Sequence, residues 1–507
     1  MKKILSKVGA LALALAFIIG SPVSVYAADL DRSYTYNYDY WGDVQDSPDF
    51  YSVCKVFTAK ELGLDKFTNP TGIYVHDDSV FLMDSGNNRI IEFKRESRES
   101  LTLVRIIDSI KGSEINTFSS PTDMAISEEG NYFIADKGNA RVVKVDKDFN
   151  YLMEFTKPDD NTLGKDLVFA PNKIVVDDSE RVYCIATGVN KGLIKYEADG
   201  SFNGFVGATP VSYDFIQVIW KKIASQEQLA KMVAFVPTEY DNIYMDDKGF
   251  IYACTGSVAK EDLKAGKVDA IRKLNLLGND ILVRNGVYYD GEFPVYGDIY
   301  MGDGGGHKGP SYFSDVTVFD NEAYICLDKN RGRLFCYDNQ GRMLFICGGN
   351  GNMDGYFRNP LAIDHMGYDL YVVDQLDCAI TLFTLTDFGE LVFSAMDHFD
   401  LGEYEESQAA WEKVIDLNGN YDLAYIGLGR SYLRQKEYKT AMDYFKLKYD
   451  DENYSKAYQQ YRKEWVEENL TWIVIVILAL FLIPMAIGRV KKVKFEINTA
   501  DIFNNKE

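Results

Sequence analysis

Between residues 51 and 390 the apolar positions follow one repeating order: a corner containing Pro, Gly or Asp, an apolar strand, a tight turn and a second strand. Gly72-Ile73-Tyr74-Val75 leads into Val80-Phe81-Leu82-Met83-Asp84, and Asp123-Met124-Ala125-Ile126 leads into Tyr132-Phe133-Ile134-Ala135-Asp136. The order returns at Lys173-Ile174-Val175-Val176, Asn242-Ile243-Tyr244-Met245, Asp315-Val316-Thr317-Val318 and Ala362-Ile363-Asp364, with start-to-start spacings of 51, 50, 69, 73 and 47 residues. Strand-length apolar runs closed by turn residues predict β-structure, and their recurrence at this period predicts a mainly β chain folded as a six-bladed β-propeller. Outer-strand segments precede successive repeats at 101–110, 151–156 and 342–347, and one more precedes the first repeat at 51–58. If 51–58 completes the blade whose other strands come from 360–385, the two ends of the ring lock together and leave no exposed sheet edge.

Two repeats carry a sharper signature, Asp84-x-x-Asn87-x-Arg89 and Asp136-x-x-Asn139-x-Arg141. The fifth keeps Asp328 and Arg333 at the same spacing, and the sixth keeps Asp374 but has Ala379 in the arginine position. Asp closes one strand, Asn tolerates a left-handed turn, and Arg opens the next strand opposite the Asp. These residues resemble the NHL repeat. The spacing reads as a structural staple within each blade rather than a ligand site.

After the propeller the period becomes helical. Tyr425, Leu428, Gly429, Tyr432, Ala441 and Phe445 stand at the offsets of the tetratricopeptide repeat and resemble that family. One 34-residue period earlier, Ala395, Tyr404 and Trp411 match Gly429, Tyr438 and Phe445, with His398 in place of an apolar Tyr. Two tetratricopeptide-like repeats and a capping helix are expected over 391–468, either as a rigid spacer or as a shallow groove for a protein.

The two ends of the chain predict its location. Lys2, Lys3 and Lys7 precede the apolar run 8–19 and the small residues around Ala27, the form of a signal peptide over 1–27. Residues 470–488 carry no charge, enough to cross a bilayer of about 30 Å at about 1.5 Å per residue. Arg489, Lys491, Lys492 and Lys494 follow, so the tail 489–507 is expected in the cytoplasm and the body outside the cell membrane. The net charge is −22 although both ends are basic. An acidic body of this kind argues against nucleic acid as a partner, since phosphates require a basic surface.

The seven cysteines include six in apolar strand segments (Cys184, Cys254, Cys326, Cys336, Cys347 and Cys378), which reads as buried thiols, with a Cys326/Cys336 or Cys336/Cys347 bridge as the alternative. There is no CxxC pair for a zinc ribbon. Residues 211–236 fit an amphipathic helix or helical pair, either a cap over one propeller face or a docking surface. In the Tyr-rich segment 28–50, a strand holding Tyr34, Tyr36, Tyr38 and Tyr40 would place the four rings on one face, to stack on sugars or pack on the propeller wall.

Ligand candidates are few. Asp303 and His307 sit in the glycine-rich loop 302–309, which is not a phosphate-binding GxxxxGK[ST] pattern, and Asp364 and His365 sit on an inner strand of the last blade. The chain has four histidines and no Ser/His/Asp order or HExxH, so no residue is assigned as catalytic or metal-binding and no cofactor is expected.

The chain also resembles a group of bacterial membrane-anchored NHL-repeat proteins found near carbohydrate ABC transporters, through Phe235-Val236-Pro237-Thr238-Glu239-Tyr240, Ile271-Arg272-Lys273-Leu274-Asn275 and Tyr421-Asp422-Leu423-Ala424-Tyr425-Ile426-Gly427. That resemblance implies a membrane-held binding or scaffold protein whose partner is a cell-surface protein or glycan, an ABC transporter component among them. The alternative that six-bladed propellers carry is a metal-dependent lactonase or related sugar-modifying hydrolase.

Overall fold

The computed structural model describes residues 35–160, 163, 166–207, 240–256, 258–286, 296–299 and 309–504. The expected signal peptide 1–27, the helical insertion 211–236, Tyr34, Asp303 and His307 lie outside these residues.

Six antiparallel sheets form the blades of a propeller. Their inner strands are Gly72–His76, Pro121–Ile126, Pro171–Val176, Asn242–Met245, Phe313–Val318 and Pro360–Met366, which contain the start of every sequence repeat. The ring closes through Tyr51–Thr58, which pairs antiparallel with Ala379–Leu385 and becomes the outer strand of the sixth blade.

The apolar runs are continuous because blades pack face to face, so both sides of a strand are buried. In Ser79–Asp84, Val80 and Leu82 join a core with Phe57, Tyr371 and Ile380 of the sixth blade. Their neighbours Phe81 and Met83 join the opposite core with Ile134 and Val143 of the second. The period of two thus sends successive side chains to different interfaces. Each such side chain, fully buried, is worth about 1.5–3 kcal/mol.

The Tyr-rich segment departs from its expected form. Among the described residues its strand covers Thr35–Tyr38 and pairs with the outer strand Met343–Gly348 of the fifth blade, Tyr36 facing Ile346. A hairpin then returns through Val44–Asp46. Tyr36 is buried against the fifth blade, Tyr38 donates to Asp298 at 3.0 Å, and Tyr40 and Trp41 fall in the turn between the two strands. The Asp39 carboxylate ends the strand early by accepting from the backbone N–H groups of Trp41 and Asp43, a local turn that competes with further strand.

All seven cysteines are free, and five are buried within strands. Cys326 faces Phe335, which puts Cys336 on the other side of the sheet and excludes a bridge between them. Cys378 differs from expectation: it occupies a turn with φ of 51°, just before Ala379–Leu385, and is half-buried.

The chain divides into two compact units after Glu390. Helices of the second unit include Tyr404–Leu417, Asp422–Arg434, Tyr438–Leu447 and Asp451–Glu468. Small residues let them approach: a Cβ on Gly427 would meet the Trp411 ring at 2.4 Å, and one on Gly429 would meet Phe445 at 2.7 Å. The last helix, Leu470–Asn504, contains an 18-residue window with a mean hydropathy of 2.8, none of it buried, and is long and apolar enough to cross a membrane.

Candidate functional site

The staple residues fix the loops at one end of the propeller axis. In the first blade, Arg89 faces Asp84 in the strand register and donates Nε to its carboxylate at 2.7 Å, while Asn87 donates to the same oxygen at 2.8 Å. The other Asp84 oxygen accepts from the backbone N–H of Thr68 at 2.7 Å, which anchors the segment arriving at the inner strand. The second blade repeats this with Asp136, Arg141, Asn139 and Ser119. The left-handed residue is not the Asn of the motif but its successor, Asn88 with φ of 54° and Ala140 with φ of 55°. Asn87 and Asn139 serve instead as donors to the Asp and to carbonyls of the arriving segment.

In the fifth blade Arg333 faces Asp328 in register but donates to Asp298 at 2.7 Å, and Arg331 turns back to Asp328 at 3.4 Å. In the sixth, Asp374 accepts from four backbone N–H groups, those of Arg358, Asn359, Leu376 and Asp377, where the arginine is missing.

Around the axis, polar residues of the inner strands clasp neighbouring blades. Asp123 accepts from Ile174 N–H at 2.9 Å, Asp315 from Ile363 N–H at 2.8 Å and Asp364 from Val75 N–H at 2.7 Å. Asn242 donates to the Ser314 carbonyl at 3.1 Å. Lys173 lies 3.8 Å from Asp123 and is buried with it. Burial works against the Lys173 ammonium, but the carboxylates of Asp123, Asp315 and Asp364 outweigh it and hold its pKa above the ordinary lysine value. Burial pushes Asp315 up to about 6 and Asp364 up to about 7, each opposed by the N–H groups it accepts.

Two cavities open on this waist, and their charges are opposite. The first, of about 370 Å³, lies at the N-terminal ends of the inner strands and contains Lys137, Lys173 and Lys329 with a single acid, Asp241. The second, of about 460 Å³, lies at their C-terminal ends and contains Asp77, Asp246, Asp247, Asp320, Glu322 and Asp364 with a single lysine, Lys248. Asp364 and His365 meet in the second cavity. His365 Nδ1 is 2.6 Å from Thr317 Oγ1, which donates to Asp364 at 3.3 Å, and Phe319 packs edge-on to the imidazole. Burial lowers His365 to about 4, so the ring is neutral near pH 7.

Sequence reasoning passed over Lys137, Lys173, Lys329 and Asp315 as site residues. The available signal was position: Lys137 and Lys329 directly follow the staple residues Asp136 and Asp328, and Lys173, Asn242 and Asp315 stand on inner strands. Among the described residues, no three His, Cys, Asp or Glu side chains come together as a metal-binding group.

No family model matches the chain. Tetratricopeptide repeat protein 6 of Homo sapiens is 29% identical over 90 residues, which is 17% of this chain and 17% of that protein, so the similarity spans well under two thirds of the relative's length. Among solved structures, a streptogramin B lyase is similar with a TM-score of 0.39 and 12% identity, covering 66% of this chain and 98% of that one. Virginiamycin B lyase from Staphylococcus aureus gives 0.36 and 11%, covering 66% and 100%. A protein of unknown function from Bacteroides caccae gives 0.35 and 12%, covering 59% and 88%.

Proposed function

We propose that this protein is a membrane-anchored interaction platform facing out of the cell, with the propeller as the binding body. The observation that carries the reading is the joining in one chain of a closed propeller and a terminal apolar helix with no buried face. A helix apolar all round is stable in lipid and costly in water. The basic residues after position 488 support a cytoplasmic tail, and the apolar run 8–19 supports export of the body.

NHL-type repeats and tetratricopeptide-like helices are both partner-binding modules in other proteins, which supports a protein or glycan partner over a reaction. The resemblance noted above puts a carbohydrate ABC transporter component first among candidates. The lactonase alternative would need metal ligands around the axis, and the described residues offer no such group.

The test is chemical crosslinking of the full chain in native membranes followed by mass spectrometry. A recurrent membrane or extracytoplasmic partner attached through propeller peptides is the expected result. Recovery of nothing beyond a control carrying only the terminal helix would overturn the proposal.

A further inference from the structure

The lysine-lined cavity runs against the charge of the whole chain. The sequence has 76 acidic against 54 basic residues, yet this mouth gathers three lysines around one acid. The one acid lies beside Tyr312: burial, together with the Asp241 carboxylate, pushes the Tyr312 hydroxyl well above its ordinary pKa. Lys329 sits over the Tyr312 ring with its ammonium 3.8 Å from the centroid, and Lys137 donates to the Asn172 side-chain carbonyl at 2.9 Å. Among the described residues no carboxylate forms an ion pair with Lys137 or Lys329. Two ammonium groups thus share a half-buried cavity without an ion pair, and burial lowers both below the ordinary lysine pKa, opposed at Lys329 by the Asp241 carboxylate. That is an unfavourable arrangement for the empty protein and a favourable one for a bound anion.

The remaining lining sets the rest of the chemistry. Thr71, Ser120, Thr122, Ser314, Asn69 and Asn172 surround the lysines, and Leu361 is the single aliphatic residue. Thr122 and Ser314 already donate to backbone carbonyls, which leaves their oxygens to accept from ligand hydroxyls. The volume is at the small end of ligand pockets, roughly 300–1,000 Å³, and suits one compact molecule rather than a chain. The third lysine, Lys173, is held by carboxylates of the inner strands, 3.8 Å from Asp123 and in the field of Asp315.

We propose that this cavity binds a small polyhydroxylated anion, a sugar acid or a sugar phosphate, with Lys137 and Lys329 holding its anionic group. The staple supplies the geometry: Asp136 and Asp328 are fixed by their hydrogen bonds, and the residue after each is carried to the mouth. The inference is separate from the platform reading, since a propeller that captures no partner can still bind the anion.

The test uses the full chain in detergent and titration calorimetry with glucuronate, glucose 6-phosphate, glucose and inorganic phosphate. At least one of the two sugar anions is expected to bind more tightly than glucose and than inorganic phosphate. Which one binds separates the carboxylate source from the phosphate source. The K137Q/K329Q variant should weaken that binding by about tenfold or more, from the loss of charge-assisted hydrogen bonds. D241N, which removes the lone negative charge of the lining, should tighten it several-fold. Binding that glucose matches, binding that inorganic phosphate matches (an adventitious ion only), no binding by either sugar anion, or affinity unmoved in both variants would overturn the proposal.

Discussion

Replacing Asp136 with Ala tests the staple where its loss should cost most. The Asp136 carboxylate is fully buried and accepts from Ser119 N–H at 2.7 Å, Asn139 Nδ2 at 2.8 Å and Arg141 Nε at 3.0 Å. Arg141 is only 2% exposed, and its remaining carboxylate, Glu154 at 3.1 Å, is partly in solvent. D136A therefore strands a buried guanidinium and leaves the partly buried Ser119 N–H without its acceptor. Breaking a buried pair from one side costs about 3–5 kcal/mol.

A second change, R141M, removes the stranded charge. D136A/R141M should be less damaged than the sum of the two single variants by about 1–3 kcal/mol. D374A in the sixth blade is the control: its partners are backbone amides and no guanidinium is stranded, so a smaller loss of about 1–3 kcal/mol is expected. The assay is urea unfolding read by hydrogen exchange on peptides from Tyr132–Asp136 and Arg141–Val145, which reports opening of the propeller by itself. A cost for D136A below about 1 kcal/mol, or strict additivity in the double variant, would refute the staple as an energetic device.

Stability should fall as pH rises from about 4 to about 7, because Asp315 and Asp364 have folded pKa values raised by burial to about 6 and about 7 and the folded state binds more protons than the unfolded chain in that window. D364N should flatten this slope in urea midpoints measured at each pH, and an unchanged slope would contradict the burial of an ionisable group there. His365 has the opposite sign: its pKa is lowered to about 4, so its contribution is present above about 6.5 and is lost as pH falls toward 4. In the helical unit, G427A would place a methyl 2.4 Å from the Trp411 ring and should cost about 1–3 kcal/mol in the helical unfolding transition. Removing residues 470–507 should move the chain from the membrane to the soluble fraction, and retention in the membrane would show that another segment anchors it.

The blades were legible because their signal is local. A two-residue apolar period, a turn and a fixed Asp-to-Arg spacing all lie within about a dozen residues, and the closing strand could be found by counting what each blade lacked. The charged mouths were not legible, because Lys137, Lys173 and Lys329 come from three different blades and meet only when the ring closes. Opposite signs on the two mouths depend on which end of each inner strand a residue occupies, and that requires the register. Local pattern failed at the Tyr-rich segment for a related reason. The alternation of Tyr34, Tyr36, Tyr38 and Tyr40 suggests a longer strand, but Asp39 turns the chain and the fifth blade supplies the pairing edge. Arg333 kept its spacing and still changed partner, because Asp298, far away in sequence, stands within 2.7 Å.

The most direct measurement of the central claim applies a membrane-impermeant, amine-reactive crosslinker to intact cells making the full chain. An outward-facing platform should be modified on propeller lysines and shift into a discrete larger species containing an identifiable partner, with a tag on the tail reached only after lysis. A propeller that reacts only after lysis, or one that reacts from outside and yields no larger species, would contradict it.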